Sequence, residues 1–267
     1  MIRSRGYKEL LEEIENIHIF KNSIAIIWIG QGGFVFKTNK DKIVYVDPYL
    51  SDIVFEEEGE HRLVEIPIDP LKIKADLVFV THNHLDHLDP VTITGIEKSC
   101  QPKFIGPSSC YKHFKKLEIN EKRIIEINRG DEKTIDGIKV NAVHAEHSGM
   151  DDSIGYVFNF GNIVIYLSGD TSYDKRLESV KNYNPEIAIV CANGKPPGVD
   201  INLNAKEAAQ LISILNPKLA IPMHYGMLAS VDENPQLFVD EMEKKNLQNI
   251  VKVMNFKECF IYSKKTC

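Results

Sequence analysis

An α/β fold of four layers, an αββα sandwich, is predicted by three observations. Short apolar runs rich in β-branched and aromatic residues, such as SIAIIWIG and NIVIYLSG, punctuate the chain and read as buried strands. These runs come in two series, each opening with closely spaced strands and continuing as strand and helix in alternation, which suits two sheets packed face to face with helices outside. A length of 267 residues, 43% hydrophobic and 26% charged, is enough to bury such a core and argues against disorder, so one domain spanning 1–267 is expected.

Taken in order, Tyr7, Leu10, Leu11, Ile14 and Ile17 recur at helical spacing, so residues 1–20 carry an amphipathic helix that packs on the body of the domain. The same pattern leaves a homo-oligomer open. SIAIIWIG, GFVFKT and KIVYVDP follow as three strands separated by Gly-Gly and a charged turn, with Asp47 ending the third. From Ala75 onward the order is strand ADLVFVT, helix PVTITGIEK, strand KFIGP, helix SSCYKHFKKL and strand RIIEI. The second series opens with IKVNAV, GYVFNF and NIVIYLSG. It continues as a polar helix, strand IAIVCA, helix NAKEAAQLISIL, strand KLAIPMHY, helix NPQLFVDEMEKKN and strands IVKVM and CFIYS. Asn204, with Glu207 three residues on, predicts a capping box at the start of the long helix.

The formal charge of −6 offers no basic surplus to replace counterions, which argues against nucleic-acid partners and anionic membranes. The five cysteines, Cys100, Cys110, Cys191, Cys259 and Cys267, are odd in number and form no CxxC pair, so a reducing cytoplasm fits better than a disulfide framework. Glu12, Glu13 and Glu15 interrupt the first segment where a signal peptide would be apolar, and no later stretch is long enough to span a bilayer. A soluble cytoplasmic protein is expected.

Chemistry concentrates in THNHLDHLDP, residues 81–90, which holds three of the nine histidines directly after the apolar run LVFV. His82 and His84, two apart on extended chain, point the same way, while Asp86 and His87 face a neighbouring point beyond the turn. One turn then serves two adjacent metal sites, and imidazole with carboxylate suits zinc, manganese or iron better than magnesium or calcium. A turn alone cannot close a catalytic centre. Further ligands stand at the ends of other predicted strands: His144 and His147 in VNAVHAEHSG, Asp170 in YLSGDTS and His224 in AIPMHYG.

The series HxHxDH, a strand-end histidine, GDT and PMHYG resembles the metallo-β-lactamase superfamily of metal-dependent hydrolases. More narrowly, FIGPSSC, GMDDSIGYVF, SGDTSYD and IPMHYG are similar to the branch containing the L-ascorbate-6-phosphate lactonases, over nearly the whole chain from Ile24. The resemblance implies the αββα sandwich of that superfamily and two divalent ions, zinc first, with manganese or iron as alternatives. By the same resemblance His82 and His84 with a later histidine hold one ion, Asp86, His87 and His224 hold the other, and Asp170 bridges them. The later histidine is His144 or His147. The family's frequent Pro-Ala-x-His or His-Ser/Thr pattern favours His147, with His144 close by. Asp47 matches an aspartate that ends an early strand and fixes the tautomer of a ligating histidine.

The implied activity is hydrolysis of a lactone, ester or phosphoester of a small metabolite, a phosphorylated sugar lactone among them, by a metal-bound hydroxide generated between ions about 3.5–4 Å apart. Asp86 orients the attacking water, and His144 and Tyr225 are the candidates for proton delivery. An anionic substrate would look to Lys112, Lys115 or Lys195, or to the N–H groups of Ser108, Ser109 and Cys110. The alternatives within the fold are an iron-dependent redox enzyme and a phosphodiesterase or nuclease. Against the first, the flavin-linked branch has an acidic residue where Asn83 stands; against the second, neither length nor charge supports a nucleic-acid-binding arm.

Overall fold

A computed structural model describes residues 7–195 and 201–264, and shows two sheets lying face to face. The first begins as a meander of β1 (Ser23–Gly30), β2 (Gly33–Thr38) and β3 (Ile43–Val46). It continues in parallel through β4 (Leu77–Phe79), β5 (Lys103–Gly106) and β6 (Ile124–Glu126). The crossovers are α3 (Pro90–Cys100) and α4 (Ser108–Lys116). The second sheet runs through β7 (Glu132–Ile135), β8 (Ile138–His144), β9 (Ile154–Phe160) and β10 (Ile163–Leu167) as antiparallel neighbours. The parallel strands β11 (Ile187–Cys191) and β12 (Leu219–Met223) complete it, reached through a 3-10 helix at Lys175–Tyr183 and through α5 (Ala205–Leu215). After α6 (Pro235–Glu243) the chain returns to the first sheet, where β13 (Cys259–Ser263) pairs antiparallel with β1.

Strand periodicity explains the layering. In β1, Ile24, Ile26 and Trp28 enter the core between the sheets, while Ala25, Ile27 and Ile29 enter a second core beneath the outer helices. Val44 and Val46 of β3 face the first core and Ile43 and Tyr45 the second, so strands buried on both faces appear in the sequence as unbroken apolar runs. Helix α1 (Tyr7–Asn16) covers the outer core with Leu10, Leu11 and Ile14, as its spacing predicts. Between the sheets, Phe158 meets Phe79 edge to face at 5.0 Å and Phe36 at 5.9 Å, contacts worth about 0.5–1.5 kcal/mol each beyond their buried area. The Tyr156 hydroxyl donates to the carbonyl of Val80 at 2.8 Å, so one hydrogen bond crosses the seam inside this core.

Helix starts follow local chemistry. Asp89 accepts from the N–H groups of Val91 and Thr92 ahead of Pro90, and Asn204 with Glu207 forms the expected capping box. Besides short 3-10 turns, one strand and one α-helix among the described residues were not expected from sequence. Strand β7 is an exposed, polar hairpin partner of β8, joined by Asp136 and Gly137 in left-handed conformations (φ 48° and 82°), and α2 (Ile53–Glu58) is a short helix ending at Gly59. Conversely IVKVM is not a strand: Val251 makes a single bridge to Ala220, after a 3-10 turn at Gln248–Ile250. The polar helix after Asp170 is the 3-10 helix already noted. Residues 1–6 of the N-terminal segment, 196–198 of the NGKPPG loop, and Cys267 lie outside the described residues. Cys100, Cys110 and Cys191 are free thiols, and among the described residues no helix is long and apolar enough to cross a membrane.

Candidate metal centre

Six chain segments converge where carboxyl ends of strands from both sheets meet. Asp47 follows β3, the THNHLDH turn follows β4, His147 lies three residues past β8, Asp170 follows β10, and His224 follows β12; Gln31 sits in the turn between β1 and β2. Gln31, Asp47 and His224 are left-handed, with φ of 51°, 45° and 72°, a conformation costing about 1–3 kcal/mol at such residues and retained where surrounding structure enforces it. Two glycines make room. A Cβ on Gly32 would sit 2.7 Å from Cε1 of His87, and one on Gly169 would sit 2.9 Å from the Ile154 carbonyl oxygen and 3.0 Å from the Thr81 side chain.

The first cluster is made of imidazoles. Nε2 of His82 and Nε2 of His147 stand 3.1 Å and 3.0 Å from Nδ1 of His84. Their tautomers are set from outside. Thr81 spends its hydroxyl proton on Asp47 at 2.7 Å, so its oxygen accepts from Nδ1 of His82 at 3.0 Å, and the Ile201 carbonyl accepts from Nδ1 of His147 at 2.8 Å. Both Nε2 atoms therefore present lone pairs to the same point. Burial, then the neighbouring His87, lowers the pKa of His82 well below its ordinary value; burial, then His147, lowers that of His84.

The second cluster is rich in carboxylates. Asp47 accepts from Nδ1 of His87 at 2.8 Å and from the Thr81 amide at 2.8 Å, which turns Nε2 of His87 toward Asp170, Asp86 and His224 at 3.4, 3.6 and 3.3 Å. Nε2 of His224 lies 3.0 Å from Asp170 and 3.3 Å from Asp86. Burial opposes charge on all four groups, but their mutual attraction prevails: His87 is raised well above the usual imidazole range, His224 is raised to about 9, and Asp86 and Asp170 are held below the usual carboxylate range. Asp170 joins the clusters, since it groups with His82 and His87 and also touches His224.

Loops carrying these ligands are tied down. The Glu146 amide donates to the Thr171 hydroxyl at 2.9 Å and the Ser172 amide to the Glu146 carbonyl at 2.7 Å, so the segments bearing His147 and Asp170 hold each other. Arg129 gathers the carbonyls of Ala145, Asp151 and Ser153. Gln31, which sequence reading passed over, is fully buried; its amide donates to Asp86 at 2.7 Å, and its Oε1 has no partner. The only cue to it was its place between strand and Gly-Gly, ordinary for a turn.

Other expected participants stand elsewhere. His144 turns Nε2 toward Glu146 and Asp174, at 3.3 and 3.8 Å, rather than toward the imidazole cluster. The Tyr225 hydroxyl donates to the Met254 carbonyl at 2.7 Å under a ring contact with Trp28, so neither of the two residues expected to deliver a proton faces the cavity. The amides at the start of α4 are also taken: Ser108 donates to Asn128 at 3.0 Å and Ser109 to Asp152 at 2.7 Å. Lys115 pairs with Glu121 and Lys195 with Glu207, and Lys112 does not line the cavity.

The donor set fits metal ions. Fixed lone pairs meet at about hydrogen-bond separation with too few protons between them, and Oδ1 of Asp170 is buried without a hydrogen-bond partner. Protons on His87 and His224 supply positive charge that a divalent cation would replace, releasing them. The clusters open into a cavity of about 190 Å³.

Two sheets of this topology with His and Asp clusters along their shared seam define the metallo-β-lactamase fold. The chain matches the Beta-lactamase superfamily domain over residues 25–224 and belongs to that family. It is 26% identical over 235 residues to a UPF0173 metal-dependent hydrolase of Methanosarcina mazei, covering 83% of this chain and 92% of the relative. A second relative of that name, from Methanopyrus kandleri, is 28% identical over 240 residues, covering 84% and 94%. Among solved structures, a metallo hydrolase from the archaeon Ignicoccus hospitalis superposes with a TM-score of 0.72 at 20% identity, covering 91% of this chain and all of that one.

Proposed function

We propose that the protein hydrolyses an ester or lactone of a small metabolite at a centre of two divalent ions. It is a metal-dependent hydrolase of the metallo-β-lactamase superfamily. In this reading His82, His84 and His147 hold one ion, Asp86, His87 and His224 the other, and Asp170 both. Imidazole with carboxylate favours zinc, with manganese or iron as alternatives. Ions so placed supply Lewis acidity and lower the pKa of a water.

The chain's own residues do the rest. Asp47 and the Ile201 carbonyl engage Nδ1 of His87 and of His147, so that Nε2 of each is aimed at the centre. Gln31 holds Asp86 through one oxygen, so Asp86 is fixed to orient the attacking water and to pass its proton to the leaving group. A phosphorylated sugar lactone, the narrower expectation, would bring a phosphate into a cavity whose described lining has no lysine or arginine, and so a lactone or ester lacking phosphate is favoured. The free thiols of Cys100, Cys110 and Cys191 support work in a reducing cytoplasm.

The observation that carries the reading is the convergence on Asp170 of His82 and His87, whose Nδ1 atoms are engaged by Thr81 and Asp47. The test is elemental analysis of protein purified without added metal, followed by a panel of esters, lactones and phosphoesters. Two equivalents of one metal, with ester or lactone turnover lost on chelation and restored by that metal, are expected; metal-free protein that binds none on titration sinks the proposal.

A further inference from the structure

The wall of the cavity away from the metal ligands has a chemistry of its own. Its apolar part is Val54, Ile201 and Leu228, and its polar part is Glu58, Glu60, Asn202 and Ser230. Asn202 is 1% exposed, and its Oδ1 has no hydrogen-bond partner. Glu60 is held at the rim by the Ser230 amide and hydroxyl, each at 2.7 Å, which fixes the position of its charge. The carboxylate of Glu58, at the end of α2, makes no hydrogen bond or ion pair among the described residues. Burial, then Asp86, then Glu60 raises its pKa, as expected of carboxylates gathered around one opening.

Cations that lie near in sequence are committed elsewhere. Arg62, whose backbone bridges Leu228, gives its guanidinium to the carbonyls of Tyr49 and Ser51 at 3.1 and 3.2 Å, and Lys195 pairs with Glu207. The wall thus offers hydrogen-bond acceptors and negative charge against an apolar floor. A carboxylate or phosphate placed there would face two like charges, which selects against it.

We propose that this wall binds a protonated amine carried on a short aliphatic arm of the substrate, with Glu58 and Glu60 as counter-charges and Asn202 Oδ1 as acceptor; the proposal rests on the metal centre as the reacting end. The arm packs between Val54, Ile201 and Leu228, and the ammonium donates to the three acceptors. The metal centre takes the scissile carbonyl, and the wall selects what is attached to it.

Three hydroxamates test this, each anchored by the same metal-chelating head: 3-aminopropanohydroxamate, butanohydroxamate and succinic monohydroxamate. Calorimetric titration into zinc-loaded full-length protein should rank them in that order, with about tenfold between ammonium and carboxylate ends, the scale of partly exposed ion pairs acting together. Glu58→Gln should shrink that preference about threefold, and Glu58→Lys, at an exposed helix end that tolerates charge, should invert it. Equal binding of all three, or a ranking that neither variant moves, overturns the proposal and leaves the hydrolase reading intact. Failure of every hydroxamate to bind loaded protein overturns the open metal centre, and this proposal with it.

Discussion

Where His82, His84 and His147 meet, burial keeps His82 and His84 neutral, whereas across Asp170 the carboxylates hold His87 and His224 in the charged form. One turn feeds both clusters, and the difference lies in what the second sheet and Asp47 bring. An all-imidazole pocket binds a cation through lone pairs and leaves its charge to the shared aspartate. A carboxylate pocket neutralises the cation but must first give up protons. The carboxylate side should therefore be the tighter and the more pH-dependent of the two.

The most severe way to break this comparison is Asp170→Ala, which removes the group common to both sides. It should abolish hydrolysis and strip both ions in elemental analysis; one full equivalent surviving would show that Asp170 serves a single side. Next, His147→Ala should halve the metal content and His144→Ala should leave it unchanged, and the reverse result would reassign the third imidazole. Asp47→Asn sharpens the contrast. It should weaken metal affinity about 10–100-fold, the usual cost of losing the partner of a ligating histidine, most on the carboxylate side through His87 and less on the imidazole side through Thr81 and His82, as read by stepwise metal titration. Gln31→Leu should leave metal content intact and lower kcat about tenfold, the scale of losing one hydrogen bond to a charged group; an unchanged kcat would leave Gln31 a merely structural turn residue.

The smallest effect is on the metal-stripped protein's stability. The His224 pKa rises on folding from 6.5 to about 9, so its contribution is fully present below about 6.5 and is lost as pH climbs through 9. Melting temperature should fall over that window in chelator-treated protein and hold steady in loaded protein. A flat profile in the stripped protein would mean that the carboxylates do not charge this imidazole.

Much of this architecture was legible because burial on both faces leaves an unmistakable signal. Strands such as Ser23–Gly30 and Gly33–Thr38 coincide with their apolar runs, and the capping box at Asn204 stands where the pattern puts it. Strand β7 escaped because its exposed edge carries Glu132, Lys133 and Thr134, which pay no penalty for polarity, although Asp136-Gly137 marked its turn. Ligand candidates were readable from residue type and from their place at strand ends. What their side chains face was not, since it depends on how each strand is set in the sheet and on partners outside the motif: Nε2 of His144 is aimed by its own strand toward Glu146 and Asp174, and Tyr225 is drawn to the carbonyl of Met254. Gln31 acts through Asp86, 55 positions away, and no local pattern announces such a pairing.

The seam between the sheets gives the centre a mechanical role as well. His82, His84, Asp86 and His87 hang from one sheet, and His147, Asp170 and His224 from the other, with a backbone bond of 3.2 Å from Ile154 to Thr81 nearby. Ions clasped there would rivet one layer to the next, so that neither sheet could slide or peel away without first surrendering them.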